Sequence, residues 1–224
     1  MLCGVSLAWK QLMMTVEQAA RTDSPTLILG EPGSGKDAIA RTLHQLSRRD
    51  GPLVSFRSLA LERPAFASVS LNGTLLVDDI GLLPGQAQRR LLEFIEKGRS
   101  PSDRESATAH CRIIATSSSD LQELILAGRF LDDLLYRIAS VRIHVSPLRD
   151  RPEDIPVLVE HFLRLFHRPG LPPRRVAPSA VEALLAYSWP GNVRELRDVV
   201  ERLLLPAQSG PVEASDVAAI LDKG

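Results

Sequence analysis

The sequence predicts an α/β fold with a parallel sheet between helices, followed by a small α-helical subdomain. Three observations predict it. The apolar run Thr26-Leu27-Ile28-Leu29 enters a glycine-rich loop and then a helical pattern from Asp37 to Leu46, the strand–loop–helix order of a phosphate-binding loop. Short apolar runs and helical patterns go on alternating up to about residue 146, as they do when parallel strands are wrapped on both faces. Beyond Pro147 the strands cease and helical periodicity remains. The expected division is residues 1–146 for the α/β core and 147–224 for the helical part.

The elements follow in order. Ser6 is suited to cap a first helix whose apolar face is Leu7, Leu12, Met13, Val16 and Ala20. After the loop and its helix, Leu53 to Phe56 reads as a short strand and Leu75 to Val77 as a buried one ending in Asp78-Asp79. Pro84 opens a helix with Leu91, Leu92 and Ile95 facing inward, and Gly98 ends it. Ser100 to Thr108 is polar and reads as a surface loop. Arg112 to Thr116 is a strand, helices are expected over 121–126 and 131–136, and Val141 to Ile143 is the last strand. The second part predicts helices over 153–166, 179–187, 192–204 and 215–221. The third carries an apolar stripe of Val193, Leu196, Val199, Val200, Leu203 and Leu204.

Composition narrows the function. The 27 basic and 27 acidic residues cancel, so bulk charge indicates neither nucleic acid nor membrane as a partner. No apolar run approaches a membrane span and no signal-peptide layout opens the chain, so a cytoplasmic location is expected. Cys3 and Cys111 form neither a disulfide framework nor a metal knuckle, and the five histidines lack partners at ligand spacing.

The chemistry concentrates in Gly30-Glu31-Pro32-Gly33-Ser34-Gly35-Lys36-Asp37, read with Leu75-Leu76-Val77-Asp78-Asp79. Glycines let backbone N–H groups turn inward around phosphates at the positive end of a helix. Lys36 supplies a point charge for the terminal phosphates, and the acidic strand end supplies the metal side. A nucleotide site is the expectation.

These residues resemble the AAA+ domain of bacterial enhancer-binding proteins, the sigma-54-dependent transcription activators. The matching stretches are Gly30 to Asp37, Gly73 to Gly81, Ala127 to Phe130, Pro147 to Arg151 with Glu153 to Ile155, and Trp189-Pro190-Gly191-Asn192-Val193-Arg194-Glu195-Leu196, in family order. The resemblance implies an AAA+ P-loop core with a helical lid, ATP with Mg²⁺ bound between neighbours of a homo-oligomeric, usually hexameric, ring, and hydrolysis that remodels RNA polymerase holding sigma-54. It assigns the nucleotide to Gly30, Glu31, Pro32, Gly33, Ser34, Gly35, Lys36, Asp37, Asp78 and Arg194. The metal falls to Asp37 and Asp78, and catalysis to Asp79, Ser118 and Arg137.

Departures from the family pattern shape the rest. The signature loop that contacts sigma-54 has only Ser58 to Asn72 to occupy, with Ala65-Phe66 as a remnant, so remodelling by the usual route is not expected. Asp79 stands where the family has Glu and is shorter by roughly 1.5 Å, and a misplacement near 1 Å can cost about a hundredfold in rate. Arg57 and Ser118 replace family Asn residues, and Leu131 replaces the first of two trans-acting arginines. Arg137 matches the second arginine, or else forms a surface ion pair with Asp133 four residues before it. Two readings follow: a regulatory nucleotide-binding module with weak or absent hydrolysis, or an active ATPase that reaches the polymerase by another contact. DNA binding is expected only through a further domain.

Overall fold

The computed structural model describes residues 3–57, 73–97, 111–167, 174–204 and 210–221. The expected remnant at Ala65-Phe66, the loop Ser100 to Thr108 and the helix end at Gly98 lie outside them. The chain forms two compact units. One comprises Leu12–Gly30 and Lys36–Val145; the other comprises Met1–Gln11, Glu31–Gly35 and Ser146–Gly224. Five residues of the phosphate loop and the amino-terminal segment therefore group with the helical part.

In the α/β unit five strands are built from the apolar runs: β1 (Thr26–Leu29), β2 (Leu53–Arg57), β3 (Thr74–Asp78), β4 (Arg112–Ser117) and β5 (Val141–His144). They pair in the order β2-β3-β4-β1-β5, all parallel. All of β4, and all of β3 but Asp78, is buried, which is why each has a continuous apolar centre, Leu75 to Val77 and Ile113 to Ala115, rather than an alternating pattern. The crossovers are α2 (Lys36–Leu46), α3 (Gly85–Lys97), α4 (Leu121–Leu126) and α5 (Asp132–Ile138). The core is Leu27, Leu75, Val77, Leu91, Ile113 and Leu134 with their neighbours. Among the buried polar residues is one full charge on a strand. Arg112, fully buried, donates to the Ala19 carbonyl at 2.8 Å, and burial pushes its guanidinium down to about 10.

The amino-terminal helix, α1 (Leu7–Ala20), contributes to both units. Ser6 caps it as expected, its hydroxyl accepting from the Trp9 N–H at 3.1 Å. The buried face is Leu12, Val16, Ala19 and Ala20, and Leu7 is exposed. At about 100° per residue Leu7 points about 140° away from Leu12, off the stripe.

The helical unit holds α6 (Asp154–Leu165), α7 (Pro178–Ala186), α8 (Asn192–Leu203) and α9 (Ala214–Leu221). They enclose Trp189, Leu196, Val200, Leu184, Phe162 and Val217. It is not purely helical, because Val176 and Val212 form a parallel bridge. Pro178 starts α7, where its absent N–H costs nothing. Among the described residues no helix is long and apolar enough to cross a membrane.

Candidate functional site

The α/β unit brings Gly30, Lys36, Asp37, Asp78, Asp79 and Ser118 to the carboxyl ends of β1, β3 and β4. Register does this: Leu29 lies opposite Ser117, and Val77 opposite Ala115. In open parallel sheets ligands collect at this edge. Lys36, 7% exposed, donates to the Gly30 carbonyl and to Ser118 Oγ, both at 2.8 Å. Ser118 Oγ in turn donates to Asp79 Oδ1 at 2.8 Å, and the Ser118 N–H donates to the same oxygen at 3.0 Å. Asp79 sits in the left-handed region at φ 46°, which Asp tolerates better than most residues. That turn folds its carboxylate back onto Ser118, so the lysine charge and the Asp79 charge are joined through one hydroxyl.

Thr116 is a participant the sequence reading overlooked. Its hydroxyl donates to Asp78 Oδ1 at 2.7 Å and accepts from the Asp79 N–H at 2.9 Å, orienting both acids. The signal was present as a hydroxyl near the end of the strand adjoining the acidic one.

Asp37, in the first turn of α2, meets Asp78. Burial, then the charge and hydrogen bond of the Asp78 carboxylate, hold the Asp37 carboxyl above its ordinary range. Two facing carboxylates need a proton or a cation between them. A hard cation that keeps several waters, takes one or two carboxylates and completes its shell with phosphate oxygens suits this oxygen pair. The residues therefore fit Mg²⁺, which would be held by Asp37 and Asp78.

The sign of the pH effect follows. A carboxyl whose folded pKa is raised weakens folding as pH rises from its ordinary range through the folded pKa. Asp37→Asn is expected to raise the thermal unfolding midpoint of the metal-free chain at pH 7. The gap from wild type should close as pH falls below the ordinary carboxylate range. Differential scanning fluorimetry from pH 3.5 to 8 checks this.

Glu31, Pro32, Gly33, Ser34, Gly35 and Arg194 lie in the helical unit. Glu31 accepts a two-pronged contact from Arg149, at 2.8 and 2.5 Å. That contact, with help from Asn192, holds the Glu31 carboxyl down to about 2. Fully buried Asn192 donates to Glu31 Oε2 at 3.0 Å and to the Pro32 carbonyl at 3.1 Å, and accepts from the Leu148 N–H at 2.7 Å. Arg151, 3% exposed, donates to the Ser34 carbonyl at 2.9 Å. It also faces the buried Asp154, which accepts from the backbone of Val5 and Ser6. Arg149, Arg151 and Asn192 all lie inside quoted motifs, but nothing in one dimension shows that they clasp the loop.

Gly33 is required by geometry. At φ +76° a side chain is strained, and a Cβ would lie 2.2 Å from the Gly191 carbonyl oxygen. Ser34 Oγ is buried without a hydrogen-bond partner among the described residues. A tight glycine turn with an orphaned hydroxyl fits a phosphate cradle. Gly33→Ala is expected to cost about 1–3 kcal/mol through backbone strain and displacement of Gly191, read as a lower denaturant midpoint at unchanged slope.

Arg194 N–H donates to the Gly33 carbonyl at 3.3 Å and its side chain is exposed. Arg137 stands apart from the other α/β residues. It pairs with Glu96 on α3 at 3.2 Å, not with Asp133, because packing brings α3 alongside α5.

Comparison with known proteins agrees with this geometry. Residues 3–148 match the family model "Sigma-54 interaction domain", and residues 149–224 match "AAA+ ATPase lid domain". The chain is 37% identical over 227 residues to the DNA-binding transcriptional regulator NtrC of Bradyrhizobium sp., covering 90% of this chain and 47% of that protein. It is 35% identical to the Sigma54-dependent transcriptional activator SfnR of Pseudomonas putida, covering 92% of this chain and 63% of that protein. The crystal structure of NtrX from Brucella abortus in complex with ATP superposes with a TM-score of 0.83 at 32% identity, over 96% of this chain and 56% of that one. The chain thus spans about half the length of the NtrC and NtrX relatives it matches. On these matches the chain belongs to the sigma-54 interaction domain family, an AAA+ P-loop domain with its helical lid.

Proposed function

We propose that the chain is the ATP-binding AAA+ module of a cytoplasmic transcription regulator, in which nucleotide drives self-assembly into a ring and hydrolysis is weak or absent. The observation that carries this reading is Asp79 tied back to Ser118, which also accepts from Lys36, in a chain whose phosphate loop retains its glycine turns. NtrX, solved with ATP and with ADP, supports the choice of nucleotide.

In this reading Gly30 to Lys36 hold the phosphates, and Lys36 exchanges its contacts with Gly30 and Ser118 for phosphate oxygens. Asp37 and Asp78 hold Mg²⁺, which when bound neutralises phosphate charge. Arg194 reaches the nucleotide from the lid. Asp79 is the residue placed to polarise water, and both its short reach and its bonds to Ser118 hold it back. The segment between β2 and β3, residues 58–72, leaves little room for the usual sigma-54 contact loop, so this contact is not part of the proposal.

Turnover tests it. Wild type is expected to bind ATP with Mg²⁺ and turn over slowly, and Asp79→Glu to raise kcat by up to about a hundredfold with little change in affinity. Fast multiple turnover by wild type, abolished by Lys36→Ala, would establish the second reading, an active ATPase that reaches the polymerase by another contact. One observation favours that reading. The Arg137–Glu96 pair is half-exposed, so releasing Arg137 toward a neighbour's nucleotide costs about 0–1 kcal/mol.

A further inference from the structure

The helical unit contains a cavity of about 580 Å³ that the nucleotide reading does not use. Ile155, Val159 and Leu163, four residues apart on one face of α6, form one wall; Val176, Val181 and Leu184 form the other. That volume lies within the range of about 300–1,000 Å³ typical of small-molecule sites. Water filling it would find few polar partners on these walls, so an apolar ligand replaces it favourably.

The rim is cationic. Arg164, His167, Arg174 and Arg175 border the cavity, with Glu160 as its acid. Glu160 is ion-paired with Arg164, and Asp216 faces Arg174 at 3.7 Å. Arg175 and His167 have no side-chain ion pair among the described residues, and both are exposed. Among the described residues the rim therefore carries a positive charge that no ion pair cancels.

The cavity is also wired to the phosphate loop through its own unit. Leu184 lines it, and the Leu184 carbonyl accepts the Trp189 indole N–H at 2.9 Å. The Trp189 carbonyl accepts from the Asn192 N–H at 2.8 Å, and Asn192 holds Glu31 and Pro32.

We propose that this cavity is an effector site for a small amphipathic carboxylate, whose apolar chain lies among Ile155, Val159, Val181 and Leu184 and whose carboxylate rests on Arg175. Apolar walls with one uncancelled guanidinium at the mouth select an apolar body with an anionic end. Occupancy would stiffen the wall that carries Leu184 and, through Trp189 and Asn192, the loop 31–35. Only the importance of that loop rests on the nucleotide reading.

The test uses the 224-residue chain without nucleotide, so failure to bind ATP would leave it intact. Decanoate and its uncharged analogue decanol are titrated by calorimetry, and amide exchange of residues 31–35 is followed with and without decanoate. Expected are saturable one-to-one binding of decanoate and slower exchange in the loop. Arg175→Gln should weaken decanoate by about tenfold, the scale of one charge-assisted contact, while leaving decanol within about twofold. Val159→Trp, which fills the cavity, should abolish both. Absence of saturable binding, or binding that both variants leave unchanged, would overturn the site. Unchanged loop exchange at saturation would overturn its effector role. Self-association that Val159→Trp removes, with no decanoate binding, would assign the cavity to a second copy of the chain and overturn the proposal.

Discussion

Trp189→Ala is expected to destabilise the helical unit by about 3–5 kcal/mol, the usual cost of emptying a large aromatic site. Trp189 has no exposed surface, and the Tyr187 ring packs edge-on at 5.0 Å. Its indole N–H is bound to the Leu184 carbonyl, so truncation also strands a buried acceptor. The turn it anchors is strained, with Trp189 at φ 52° and Asn192 at φ 55°, and such turns persist only where packing over-determines them. Native-state hydrogen exchange locates the effect. Amides of α6 to α9 should lose protection by that amount, and strands β1, β3 and β4 should lose little. Trp189→Phe, which keeps a ring but not the N–H, should cost substantially less than Trp189→Ala. Equal loss of protection in sheet and lid would show that Trp189 is not a local anchor.

Lys36→Ala is expected to weaken ATP binding by about 3 kcal/mol or more, at least roughly a hundredfold, as measured by calorimetry. Lys36 is almost buried, and its ammonium is held between the Gly30 carbonyl and the Ser118 hydroxyl. It is the cation placed next to the glycine turns, and the nearby acids Asp37, Asp78 and Asp79 repel phosphate unless a cation offsets them. Lys36→Ala removes one offset and leaves the carboxylates. The variant should retain most of its thermal stability, because its aliphatic stem is replaced at a helix position where Ala is favoured. A nucleotide affinity unchanged within about threefold would place the ligand elsewhere.

Most of the architecture is legible in the sequence. The strands at 26–29 and 112–117 and the helix at 121–126 were found within a residue or two, because each is an apolar run or stripe with clear punctuation. Helix ends differ by one or two residues, as in α5, which runs from Asp132 to Ile138 rather than from 131 to 136. The phosphate loop was legible because glycine spacing and its strand–helix context are local properties. The lid motif at Trp189 to Leu196 was legible as a family signature, though not for what it does.

What the chain spells out by itself is local: which segments are strands or helices, where glycines allow the loop to turn, and which acids and which lysine its motifs carry. Tertiary structure alone decided the pairings. It set Arg137 against Glu96 instead of Asp133, tied Asp79 to Ser118, faced Asp37 with Asp78, and closed Arg149, Arg151 and Asn192 around the loop. Backbone propensity and periodicity act over a few neighbours. These contacts join residues 39 to 161 positions apart, and only packing and strand register bring such partners within bonding distance.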